Sequence, residues 1–305
     1  MVKKVLRWIA LMMTVILVAS MSGSFQNVKI AFSMDDNTGW APVEQAMGKQ
    51  GTLQGDVLKF SMPRGDLRIM VGDVQISSAL ALGSWVAFKK MGSGAMVMGD
   101  LVLTEKEVGP VMKKLGQGGI EITALHNHLL GESPRVMYMH IDGQGDPASM
   151  AITIRDALAL TGTPAVAGTK NFSSSDVDAA RLDGILGYKG KVNGDVYQFS
   201  VPRAEKIMDQ GIEVPPFMGV AMPINFQPTG NGKAAIAGDM VLTADEVNPV
   251  LRSLNDHGID VTAVHSHMLT EEPRLFFLHF WANDDAYKLA QGLRAALNET
   301  NVVSL

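Results

Sequence analysis

The chain has 305 residues, of which 47% are hydrophobic, no cysteine, and a net charge of −5 at neutral pH. That balance belongs to a folded chain and not to a disordered one. It excludes disulfides, thiolate metal sites, cysteine nucleophiles and lipid attachment at an N-terminal cysteine, and an acidic chain without a basic block makes a poor nucleic-acid binder.

The first segment reads as a leader. Lys3, Lys4 and Arg7 precede the apolar run 8–19, and Ser20, Ser22, Gly23 and Ser24 follow it. Positive, apolar and small residues in that order are the pattern of a secretory signal peptide, here residues 1–24. The uncharged run 8–21 is shorter than the ~20 residues a spanning helix needs. The expectation is an exported protein, periplasmic or extracellular, with no stable transmembrane segment after cleavage and no lipid anchor. Losing Lys3, Lys4 and Arg7 makes the remainder more acidic still.

Beyond the leader the chain repeats itself. "GTLQGDVLKFSMPR" (51–64) matches "GKVNGDVYQFSVPR" (190–203), "GDLVLTEKEVGPVMKKL" (99–115) matches "GDMVLTADEVNPVLRSL" (238–254), and "GIEITALHNHLLGESPRVMYMH" (119–140) matches "GIDVTAVHSHMLTEEPRLFFLH" (258–279). All three pairs share one offset, so a unit of about 125 residues has been duplicated. The copies are placed at 35–160 and 173–300, joined near 161–176.

Each copy predicts the same elements in order. A helical patch (43–47; 177–186) leads to an alternating strand (53–61; 192–200), and further strands are expected through 67–88. After a strand at 97–103, Thr104 and Glu107 form a capping box that opens a helix, as Thr243 and Glu246 do in the second copy. Gly119 and Gly258 follow that helix. Strands at 120–128 and 135–142 come next, joined by a loop holding Pro134, and a closing helix is expected at 148–160 or 286–297. The fold class is α+β: two tandem copies, mostly antiparallel sheet with flanking helices, and a histidine-rich hairpin in each.

The chemistry concentrates in those hairpins. Six of the seven histidines lie there, as His126, His128 and His140 and then His265, His267 and His279, with Glu132 and Glu271 beside them. Residues two apart on a strand share a face, so His126 and His128 point together, and pairing around Pro134 sets His128 opposite His140. Three imidazoles and a carboxylate suit a divalent transition metal, Zn, Mn, Fe or Cu, at one site per repeat. Met137 and Met139 alternate with His140 and belong to the opposite face, which makes them core filling and not soft ligands. Arg135 and Arg274 are candidates for binding an anion or orienting the glutamate. Asp100 and Asp239 are candidates for holding a ligand histidine, or else are strand-edge polar residues. His257 sits by a helix end as an ordinary polar residue. The letters His126-Asn127-His128 do not make a nuclease, whose motif spreads over a longer hairpin and helix with basic flanks.

The motifs "ALHNHLLGESPRVMYMH" and "GDLVLTEKEV", with their second-copy counterparts, resemble the LppY/LpqO family of exported bacterial domains across nearly the whole mature chain. The resemblance implies a fold and leaves activity unassigned, since the family has none; members that are lipoproteins carry a cysteine this chain lacks. A second likeness is to cupins, through His126-x-His128 and the following Glu132. The cupin glycine after the glutamate is missing, His140 comes too early, and the helices argue against a barrel. Three readings stay open: an exported metal-binding protein that binds or senses a metal or small ligand, a metal-dependent enzyme (hydrolase or cupin-like) on the same sites, and a structural domain without metal.

Overall fold

Alternation along residues 57–63 shows how the sheets are built. Leu58, Phe60 and Met62 are buried on one face, while Lys59 and Ser61 point the other way and stay partly or fully exposed. This computed structural model describes residues 39–164, 172 and 176–303; the leader expected at 1–24 and most of the linker lie outside them.

The first repeat runs α1 (Ala41–Met47), β1 (Thr52–Gln54), β2 (Val57–Pro63), β3 (Ile69–Val71), β4 (Val74–Ile76), β5 (Gly83–Met91), β6 (Gly94–Thr104), α2 (Glu105–Gln117), β7 (Glu121–His126), β8 (Glu132–Ser133), β9 (Val136–Gly145) and α3 (Pro147–Leu158). The second runs α4 (Ala179–Leu186), β10 (Lys191–Asn193), β11 (Val196–Pro202), β12 (Met208–Asp209), β13 (Ile212–Glu213), a 3₁₀ turn at Pro216–Met218, β14 (Ala221–Gly230), β15 (Lys233–Leu242), α5 (Ala244–Asp256), β16 (Asp260–His265), β17 (Phe276–Asp285) and α6 (Ala286–Leu297). Each copy forms a six-stranded sheet, β1-β2-β5-β6-β9-β7 and β10-β11-β14-β15-β17-β16, with every pairing antiparallel. These open sheets have free edges at β1, β7, β10 and β16, so neither copy is a cupin barrel.

The strand expected at 53–61 is a hairpin instead. Gly55 takes a positive φ of 62° and forms the two-residue turn between Gln54 and Val57; Gly194 does the same, also at 62°. Glycine at the first turn position permits the primed turn that matches strand twist. The capping expectation holds: Glu107 Oε2 accepts from the Thr104 backbone N–H at 2.8 Å, and Glu246 Oε2 from Thr243 at 2.7 Å.

One face of the first sheet buries Phe60, Phe88, Val97, Leu101 and Ile141 against its own helices through Val111, Leu115 and Ile154. The other face meets the second repeat, where Val102, Val136 and Tyr138 share a cluster with Val196, Ala235 and Ala237. Ala87, Met96 and Met98 pack into the core of the second copy in the same way. The layers are therefore helix, sheet, sheet, helix. Each fully buried aliphatic or aromatic side chain contributes about 1.5–3 kcal/mol, and the sheet-on-sheet seam draws on both copies. Whatever faces away from the helices on β6 and β9, or on β15 and β17, is delivered into that seam.

Candidate metal centre

Register decides which side chains meet. β6 pairs with β9 so that Asp100 faces His140, and β15 pairs with β17 so that Asp239 faces His279. On the other side of β9, Ala124 pairs with His140 and His126 with Tyr138, with a register shift between Ile122 and Ala124. The expected opposition of His128 and His140 gives way here: the ladder ends at His126, and His128 lies just past it. Its ring stacks on Tyr138 with centroids 3.4 Å apart, as His267 stacks on Phe277 at 3.6 Å. A bulge of this kind re-aims a side chain without breaking the sheet. Met139 and Ile141 pack toward the helices, on the face opposite His140.

The two hairpins come together across the seam. His126 stacks on His265 at 3.6 Å between centroids, His128 on His279 at 3.8 Å, and His140 on His267 at 3.6 Å. The expectation of one separate site per repeat thus meets a different geometry, six imidazoles in one cluster. Two sets of side chains have ligand atoms all within 4.8 Å of one another: His126, His128 and His140, and His126 with His265, His267 and His279. His126 belongs to both. Nitrogens bound to one zinc-like ion at about 2.0–2.1 Å lie no more than about 4.2 Å apart, so small movements suffice to close either set on an ion.

The Nε2 atoms of all six histidines are buried and have no hydrogen-bond partner. Orphaned polar atoms are rare in native interiors and each costs on the order of 1–3 kcal/mol, so six in one place form a set of acceptors that a metal ion or ordered water could satisfy. The Nδ1 atoms of His126, His265 and His279 face the carbonyls of Asn127, Ser266 and Gly238 at 3.3, 3.4 and 3.1 Å. A carbonyl only accepts, so Nδ1 carries the proton in these three and Nε2 presents its lone pair to the cluster. Burial, with neighbouring imidazoles, pushes every one of these pKa values down, His126 to about 3; burial alone carries His265 to about 4. The rings are neutral at physiological pH, the form that ligates metal.

Asp100 and Asp239 stand inside the cluster. Asp100 lies 4.0 Å from His128 Nε2 and 3.8 Å from His140 Nε2; Asp239 lies 3.8 Å from His267 Nε2 and 3.8 Å from His279 Nδ1. One oxygen of each has no hydrogen-bond partner. Burial raises Asp100 to about 8 against the pull of Lys59, and burial with the charge of Asp100 raises Asp239 well above the carboxylate range. The sequence signal for them was the recurring Gly-Asp pair. A Cβ on Gly99 would lie 2.8 Å from the Trp85 carbonyl oxygen, and one on Gly238 2.2 Å from that of Pro223. Glycine lets the neighbouring strand close in beside the aspartate.

Glu132 and Glu271, although buried, belong to neither ligand set. Glu271 accepts from Leu275 N–H at 3.0 Å and from Arg274 at 3.2 Å, and Arg274 also reaches the carbonyl of Leu269 and the hydroxyl of Ser266. Glu132 lies 3.9 Å from the largely exposed Arg135. The Glu271 bonds brace the loop that carries His267, whereas Glu132 Oε1 is buried without a hydrogen-bond partner. His257 stands apart, bonded through Nδ1 to the Ser253 carbonyl at 2.7 Å at the end of α5.

A cleft of about 1140 Å³ opens onto the centre, with Asp100, Asp239, His140 and His279 at its floor and Lys59, Trp85 and Lys191 among its walls. Among the described residues, no helix is long and apolar enough to cross a membrane.

Comparison with solved structures finds a trimeric bacterial microcompartment shell protein, PduB, at 13% identity over 83% of this chain and 95% of that one, with a TM-score of 0.21. EtuB from Clostridium kluyveri matches at 10% identity over 84% and 95%, with a TM-score of 0.20. Superpositions this loose bear on neither fold nor function. Comparison with curated proteins gives no match. A family described as a Domain of Unknown Function (DUF1259) matches twice, at residues 41–160 and 180–299, and these matches span the two sheets whose histidines converge. By that double match the chain belongs to the DUF1259 family and carries its domain in tandem.

Proposed function

We propose that this is an exported protein that binds a divalent transition metal in one composite centre built by both repeats. The observation that carries the reading is the convergence of six buried, unpartnered Nε2 atoms. Imidazole is the ligand of choice for Zn, Cu and Fe, and rings already neutral need no deprotonation to bind. The residues that would hold the ion are His126, His128, His140, His265, His267 and His279, with Asp100 and Asp239 in reach of the same space. An ion there would draw both repeats together and neutralise the cost of facing aspartates. The leader at 1–24 and the resemblance of the histidine motif to LppY/LpqO domains support export.

The cleft favours a second reading, a metal-dependent enzyme, because a centre that only stored an ion would need no opening of that size. In that role the ion would polarise a bound oxygen or activate water, and the neutral histidines and aspartates would position it. Elemental analysis of tag-free protein, before and after chelation, tests the first reading. Bound transition metal removed by the chelator is expected; metal-free protein that takes up none on reconstitution contradicts it.

A further inference from the structure

The pseudo-symmetry of the cleft breaks in charge at Lys59, as it does at Lys191, which replaces Thr52 of the first copy. Lys59 on β2 faces the seam, and the second copy has Gln198 there. Lys59 Nζ donates to the Phe217 carbonyl at 3.0 Å and lies 4.2 Å from the centroid of the Trp85 ring. Gly219 lets this turn sit so close, since a Cβ there would come within 2.9 Å of Trp85. No described carboxylate comes within 4.0 Å of the ammonium. Its charged neighbours are Lys191 and Asp100; burial, then Lys191, lowers its pKa to about 8, which leaves it a cation at neutral pH. On the other side, Gln198 Nε2 donates to Asn225 Oδ1 at 2.8 Å, and Asn225 Nδ2 donates to the Leu80 carbonyl at 3.0 Å. That amide relay is neutral and internally satisfied. Lys59 keeps donors free, and it stands in the wall of the cleft that ends at the histidines.

We infer that the cleft binds a small hydroxylated carboxylate, its carboxylate held by Lys59 and its hydroxyls by the polar walls, with its far end at the metal centre; this rests on the metal reading above. Six neutral imidazoles cancel none of an ion's charge, but Asp100 and Asp239 beside them offset that of one divalent ion, so the cleft's net positive charge comes from the cations of its walls. A half-buried ammonium without a carboxylate partner within 4.0 Å is the first of these, and hydrogen bonds between charged groups are the strong ones. Arg68 and Lys191 line the same cleft and, with Lys59, outnumber Asp195, the acidic lining residue apart from Asp100 and Asp239. Gln54, Ser61, Ser78, Asn193 and Ser200 supply the amides and hydroxyls that recognise a polyol. Trp85 offers an apolar face beside the ammonium. The volume exceeds what a bare inorganic oxyanion would fill, which points to a ligand of several carbons.

The test is calorimetric titration of gluconate, with sorbitol as its neutral counterpart, into zinc-loaded wild type and Lys59→Gln. Zinc content is measured before and after each titration. The variant installs the residue that the second copy already carries, so the strand tolerates it. Gluconate is expected to bind wild type, to bind Lys59→Gln about ten- to a hundredfold more weakly as a charged hydrogen bond is lost, and to leave zinc content equal in the two proteins. Sorbitol is expected not to bind. Equal gluconate affinity in the two proteins, sorbitol binding as tightly as gluconate, or no gluconate binding by zinc-loaded wild type would overturn the inference. Wild type that holds no zinc would overturn the metal reading beneath it instead.

Discussion

The imidazole of His126 lies face to face with that of His265, ring centroids 3.6 Å apart. The two residues occupy the same position in the two copies, and a residue touches its own counterpart only where a two-fold axis passes between them. The remaining contacts obey that axis: His128 meets His279 while His140 meets His267, each the exchange of the other. Duplication therefore supplied both halves of one centre within a single chain.

Metal should stabilise the whole molecule. An ion that binds only the native chain adds about 2.7 kcal/mol at a hundredfold excess over its Kd. Scanning calorimetry of zinc-loaded protein is expected to give a higher Tm than the same protein after chelation, with one transition in each case because the seam is shared. An unchanged Tm would mean that no ion links the repeats.

Glu271 is expected to hold its loop and not the ion. Changing Glu271 to Ala strands the fully buried Leu275 N–H, at a cost of about 1–3 kcal/mol in urea unfolding. Zinc content should remain that of wild type. A stable variant that has lost zinc would restore the glutamate as a ligand.

How much of this was legible in sequence follows from the range of the interactions. Capping at Thr104 and Thr243, the closing helices and the inward face of His140 are set by residues a few positions apart, and periodicity reveals them. The turn at Gly55 was written in a Gly-Asp pair, but the apolar alternation on either side of it reads as one strand. The pairing of His128 with His140 failed because the register shift between Ile122 and Ala124 has no local signature. Convergence of the two hairpins depends on which sheet faces meet across Val102, Tyr138 and Ala235, contacts between residues a repeat apart. Asp100 joins the centre through the same packing, while Glu132, nearest the histidines in sequence, stays outside both sets of mutually close ligand atoms.

Acid should weaken the fold through two buried arginines. Burial alone would raise the pKa of Glu107, but hydrogen bonds from Arg64 and from the Thr104 and Gly162 N–H groups lower it; Arg203, Thr243 and Asn301 do the same for Glu246. A folded pKa below the unfolded one adds stability that is fully present above the ordinary value of 4.5 and is lost as pH falls through the folded pKa. The six neutral histidines, whose pKa values burial lowers from 6.5, cost wild type and a glutamate variant alike as pH falls through that value. The part due to the glutamates is the difference in urea midpoint between wild type and Glu107→Gln with Glu246→Gln, expected to be flat between pH 7 and about 5 and to shrink below pH 4.5. Glu107→Gln with Glu246→Gln should start lower at pH 7 and lose less on acidification. A double variant with the wild-type slope would remove these glutamates from the acid response.

The central claim is that one centre is shared by both copies, and metal binding by half-site variants tests it most directly. His126→Ala with His128→Ala removes ligands from the first hairpin alone, and His265→Ala with His267→Ala from the second alone. Each variant is titrated with zinc by calorimetry beside wild type, with circular dichroism confirming that the fold persists. Because His126 belongs to both ligand sets, the first variant is expected to lose more than half of the bound zinc. The second keeps His126, His128 and His140 but removes the rings stacked on His126 and His140, and both are expected to bind their remaining zinc more weakly than wild type. Loss of half the zinc, with the other half bound at wild-type affinity in both variants, would contradict it and restore two independent sites.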